Sequence, residues 1–220
     1  MAEGHSAGGK RLRLSREERR NQILDRAVAF FSVHGFGAST RDLAKSAGVT
    51  QPLLYNYFPS KEALVRAVYE RVYVDRWQPE WDAVLTDRSQ ALEDRLIAFY
   101  TDYTRIIYDP DWLRLYLYSG LRALDINKWY IARVEARVIH PICREIRAAY
   151  GLPQPADGAV APAEAEAIWT FHGGIVYYGI RREIYKIPEK TTFDEMIRSA
   201  VGTLLKGASL ALTSNHSEGR

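Results

Sequence analysis

Apolar residues in this chain recur at spacings of three and four along most of its length, and no stretch alternates apolar with polar as a half-buried strand does. That periodicity predicts an all-α fold. Start and stop signals divide it into helices. Ser15 and Glu18 form a capping-box pattern ahead of Ile23, Leu24, Ala27, Phe30 and Phe31, and His34 with Gly35 closes that helix. Ser39 to Asp42 opens a short second helix that Gly48 ends. Thr50 caps a third through Tyr57, with Pro52 in its first turn. After Pro59, Ser60 caps a fourth running to about Trp77. Further helices are predicted near 88–107, 110–123, 126–150, 162–185 and 193–212, with Asp109-Pro110 and Thr192 to Glu195 as starts. Gly151 to Pro162 reads as a loop.

The second and third helices, joined by Ala47-Gly48-Val49, have the layout of a helix-turn-helix. Glycine suits a turn that needs positive φ. Leu43, Ala44, Val49 and Leu53 are placed to pack the two helices together. Gln51, Pro52, Tyr55 and Asn56 then project outward, and glutamine and asparagine suit adenine in the major groove. Thr40, Arg41, Thr50, Tyr57 and Lys61 complete the candidate DNA-binding set as phosphate and register contacts. The two tyrosines also read as packing aromatics. Charge agrees in direction: residues 1–61 carry ten Lys/Arg and five Asp/Glu, while the whole chain is only +3.

The run from Thr40 to Leu64 strongly resembles the TetR family of bacterial repressors. Its opening threonine, Ala47-Gly48-Val49 turn, Leu54-Tyr55-Asn56-Tyr57-Phe58 close and Ser60-Lys61-Glu62-Ala63-Leu64 start of the next helix fall at that family's spacing. The resemblance covers about residues 16–66. Pro52 departs from it, standing where members often carry Gly or Ala. What the resemblance implies is an all-helical homodimer that binds a double-stranded DNA operator and is released by a small molecule. The implied organisation is a flexible basic tail over 1–14, a helix-turn-helix domain over 15–60, a ligand-binding and dimerisation domain over 61–214 and a tail over 215–220. The basic arm Lys10-Arg11-Leu12-Arg13 is either plain tail or a minor-groove strand.

Aromatic residues crowd the larger domain, and as a set they favour an aromatic or hydrophobic effector over a metal. The candidate effector residues are Phe99, Tyr103, Trp112, Tyr116, Trp129, His140, His172 and Val176. Arg133 and Arg137, one turn apart, read first as surface and second as an anchor for an acidic ligand. For the dimer interface the candidates are Ile168, Phe171, Ile175 and Tyr178 on one helix and Ile197, Val201, Leu204 and Leu205 on the last. Gly173, Gly174 and Gly179 fit close helix approach, a bend, or a break.

Other function classes fit less well. Gly4-His5-Ser6-Ala7-Gly8 matches a nucleophile-elbow pattern, but no strand precedes it. His140, Cys143 and His172 lack a further ligand, and no P-loop or dinucleotide fingerprint is present, so no metal, cofactor or catalytic residue is predicted. No apolar run approaches the roughly 18 residues of a membrane span, and no apolar segment follows the basic N-terminal residues. Cys143, the single cysteine, fits a reducing cytoplasm. An architectural DNA-binding protein without a ligand leaves so large an aromatic-rich domain unexplained.

Overall fold

The computed structural model describes residues 14–122, 124–154 and 158–217, with side chains to residue 208. All of its regular structure is helical. The basic arm at residues 10–13 lies outside the described residues. No described helix is long and apolar enough to cross a membrane.

Helix α1 (Arg16–His34) begins with the predicted capping box. Glu18 N–H donates to Ser15 Oγ at 3.1 Å, and Ser15 N–H donates to the Glu18 carboxylate at 2.7 Å. It buries Ile23, Leu24, Ala27 and Phe31. Gly35 ends it at φ 70°, against the ring of Tyr118. Helices α2 (Thr40–Ser46) and α3 (Gln51–Tyr57) follow, joined through Gly48 at φ 67°. Leu43, Ala44 and Leu54 on them are buried in the core, with α2 packed between α1 and α3.

The body starts with α4 (Lys61–Tyr69), capped by Ser60 and continued by a π-helical turn over Glu70–Val74. Next comes α5 (Glu80–Thr86), which lies ahead of the helix predicted from residue 88. Its two buried residues, Trp81 and Leu85, are one turn apart, too short a pattern to stand out as a separate helix. Helix α6 (Leu92–Ile107) is the central strut. Leu96, Phe99, Tyr100 and Tyr103 on it are at most 1% exposed. Helix α7 (Pro110–Leu121) is capped by Asp109 and packs beneath α1.

The predicted helix 126–150 is α8 (Asp125–Val134), a π turn over Glu135–Ile139, and α9 (His140–Ala149). Pro141 explains the interruption. It has no N–H to give and its ring crowds the carbonyl four residues back, so the chain widens to i→i−5 bonding just before it, with His140 N–H on Glu135 O. Helix α10 (Pro162–Gly179) ends in another π turn over Ile180–Ile184, and α11 (Phe193–Ser217) opens on the Thr192–Glu195 capping box and extends past the predicted end at 212. Arg95 on α6 and Glu145 on α9, 6% and 7% exposed, pair at 2.8 Å, and Arg88 closes the same carboxylate at 2.9 Å.

Candidate nucleic-acid interface and effector domain

The tip of the helix-turn-helix is organised around one hydroxyl. Thr40 Oγ1 accepts from Gln51 Nε2 at 3.0 Å and shares a hydrogen bond of 3.0 Å with the Tyr55 hydroxyl. Thr40 is therefore a buried brace between α2 and α3, 8% exposed, and not a free phosphate ligand. Ser39, whose hydroxyl accepts from Arg41 N–H, is the cap of α2. Thr50 spends its side-chain oxygen on Leu53 N–H. The outward surface consists of Arg41, Thr50, Pro52, Leu53, Tyr55 and Asn56, with Gln51 and Tyr57 half-buried beside it. Leu53 departs from the expected packing role. It is exposed, and Leu54 fills the inside position at 1%. Lys61 is half-buried and donates from Nζ to Ala38 O at 2.8 Å, which ties α4 to the loop before α2.

Five of the eight effector candidates meet in one aromatic cluster. Phe99 stacks on Tyr103, Trp112 stacks on Tyr116, and His172 lies 5.7 Å from Tyr103 between ring centroids. Tyr73, Trp77, Trp81, Tyr100 and Tyr130 complete it. Tyr103 and Tyr130 share a short hydroxyl–hydroxyl bond. Burial raises the phenols of Tyr73, Tyr100 and Tyr130 well above their usual range and lowers His172 to about 4, so the cluster is neutral. Trp129 joins this cluster only through Tyr69, which it meets edge-on at 5.2 Å and which packs on Tyr73 at 5.7 Å, while His140 and Val176 lie apart. Trp129 sits beneath the Arg66 guanidinium at 4.2 Å and lines a cavity of about 530 Å³, shared with Phe36 and Lys61, between head and body. His140 is half-exposed near Glu135, and Val176 is half-buried on α10. Cys143 is buried, with its thiol pushed up to about 11, and among the described residues no three potential ligands gather around a metal position.

The family profile described as "Bacterial regulatory proteins, tetR family" matches residues 23–68, from within α1 into α4. Over these residues the chain is similar to the TetR family. It is 37% identical over 82 residues to the HTH-type transcriptional repressor ComR of Escherichia coli (strain K12), covering 37% of this chain and 39% of that one. It is 36% identical over 123 residues to the HTH-type transcriptional activator FasR of Mycolicibacterium smegmatis, covering 50% of this chain and 56% of that one. The chain thus spans about half the length, or less, of these relatives. Over the full body the likeness is one of fold. A TetR-like transcriptional regulator from Rhodococcus sp. RHA1 superposes with a TM-score of 0.62 at 21% identity, over 91% of this chain and 99% of that one. These relatives are regulators, not enzymes.

The two C-terminal helices divide the residues expected at the dimer interface. Ile168 and Ile175 on α10, and Ile197 and Val201 on α11, are at most 3% exposed because they pack inward on the chain's own core. Phe171, Tyr178, Leu204 and Leu205 are half-buried. The outer face is built instead from smaller residues. Ala167, Thr170, Gly174, Ala200 and Thr203 line a groove of about 400 Å³ with Phe171, Tyr178 and Leu204. Of the three glycines, only Gly179 marks a close approach. A Cβ there would stand 2.3 Å from the Tyr108 ring, whereas Gly173 and Gly174 face open space.

Proposed function

We propose that this chain is a sequence-specific transcriptional regulator, acting in the cytoplasm as a homodimer that binds a palindromic operator through α3 and leaves it when a small molecule occupies the aromatic body. The observation that carries this reading is the Thr40–Gln51–Tyr55 brace. It holds the exposed α3 face rigid before DNA arrives, and pre-organisation lowers the ordering cost of binding. Arg41, Tyr55 and Asn56 are the candidate contacts, while Gln51 keeps a free amide oxygen and one N–H for a base edge. Pro52 and Leu53 offer an apolar patch that suits a thymine methyl. Dimerisation is assigned to the outer α10–α11 face, and a two-fold pair of α3 helices would read half-sites about one DNA turn, roughly 34–36 Å, apart.

The test is selection of bound DNA from a random duplex pool at fixed salt. Enrichment of a palindrome is the expected outcome, and salt-sensitive binding without enrichment would overturn sequence-specific control. FasR's name supports a second reading, activation, which transcription from the selected site with and without the protein would decide.

A further inference from the structure

Among the described residues, two buried hydrogen-bond donors at the edge of the aromatic cluster have no partner. The indole of Trp77 is 8% exposed and its Nε1–H meets no acceptor. The Arg133 guanidinium lies 5.2 Å from the centroid of that same indole, and its Nε–H is likewise buried and unpaired. The neighbouring groups are satisfied. Trp81 Nε1 donates to Asp102 at 2.7 Å, and Arg137, 4.9 Å from the Trp77 ring, is paired with Asp82. Among the described residues no carboxylate pairs with Arg133, and its charge acts on the Tyr69 phenol. Buried donors are normally paired, and a half-buried guanidinium is expected to find a carboxylate.

We propose that Arg133 and Trp77 form the seat for the carboxylate of an acidic effector whose apolar part lies against the aromatic cluster. This rests on the ligand-controlled reading above. The single positive charge of Arg133 with its unpaired Nε–H, together with the indole N–H, suits a monoanion. A phosphate dianion would need a second free cation, and Arg137 is already neutralised. The place suits control of the DNA-binding head. Trp77 follows the π turn that ends α4, and α4 begins at Lys61, bonded to the loop before α2. A ligand that pulls on Trp77 therefore loads the strut that carries the head.

The test uses matched pairs, phenylacetate against phenylacetamide and octanoate against octanamide, titrated calorimetrically into the full chain. The acids are expected to bind more tightly than their amides. Arg133→Gln is expected to weaken the acids about ten- to a hundredfold, the range of a lost charged hydrogen bond, and to leave the amides unchanged. Trp77→Phe keeps the ring and is expected to cost the acids about two- to tenfold. Thermal melts of both variants check that each remains folded. Acids binding no better than amides, or Arg133→Gln binding them as well as the parent, would overturn the seat while leaving ligand control standing. Absence of binding by all four probes also overturns the seat. The operator selection does not depend on Arg133 and judges the regulator reading separately.

Discussion

At the scale of single residues, the structure separates side chains that stand exposed from those that brace their neighbours. Thr40 and Lys61 both carry polar groups suited to phosphate, yet each makes an internal bond. Lys61 keeps two ammonium hydrogens beyond the one given to Ala38. Lys61→Ala is expected to weaken operator binding across sequences and to shrink the slope of log affinity against log salt by about 1. An unchanged slope with a stability loss of about 1 kcal/mol would assign the lysine to bracing alone. His172 gives a pH dependence. Its folded value near 4 lies below the unfolded value near 6.5, so the unfolded chain takes up the proton first as pH falls. The His172 contribution is expected to be complete above about pH 6.5 and to be lost from there to about pH 4, by roughly 3 kcal/mol in all. His172→Gln is expected to remove that part of the decline, read from urea midpoints at pH 7.5 and pH 5. Equal declines in parent and variant would show that His172 is not its source. The caps, the Gly48 turn and the α3 face were legible because they depend on residues within one or two turns. Leu53 and Leu54 were not separable, since adjacent apolar residues on a seven-residue helix differ only in what stands opposite.

Among the elements, α10 shows how a glycine is required by a neighbour and not by its own helix. Tyr108, at the end of α6, lays its ring over Gly179 and donates from its hydroxyl to Ile175 O at 2.7 Å. Arg182 packs on that ring at 4.9 Å and Phe193 meets it edge-on, so it has little room to yield. Gly179→Ala is expected to destabilise by about 1–3 kcal/mol through overpacking, outweighing the roughly 1 kcal/mol that alanine gains in a helix interior. Gly173→Ala, facing open space, is expected to gain up to about 1 kcal/mol. Thermal melts of the two variants, moving in opposite directions, check the contrast. The π turns follow the same division. Pro141 announces trouble in the α8–α9 helix, but whether the helix breaks, kinks or widens depends on the packing that holds Val138, Ile139 and Ile142 in the core.

For the molecule as a whole, the proposed reading has two copies meet DNA through the basic head and the outer α10–α11 face. Gly174→Arg adds bulk and charge to that face at a position with nothing within 4 Å in the protomer. It is expected to give a folded monomer, seen as a halved mass in sedimentation with unchanged helical circular dichroism, and to lose binding to a palindrome. A dimer of undiminished affinity would place the interface elsewhere. By itself the sequence determined the helical class, most helix starts, the helix-turn-helix register and the resemblance to the TetR family, because each rests on local hydrogen bonding or on spacing along one helix. Tertiary structure alone decided that Ile168, Ile175, Ile197 and Val201 belong to the protomer's core, that Thr40 is a brace, and that Arg133 meets Trp77 with no carboxylate paired to it among the described residues. Periodicity groups residues onto a face, whereas which element covers that face depends on contacts between residues far apart in the chain.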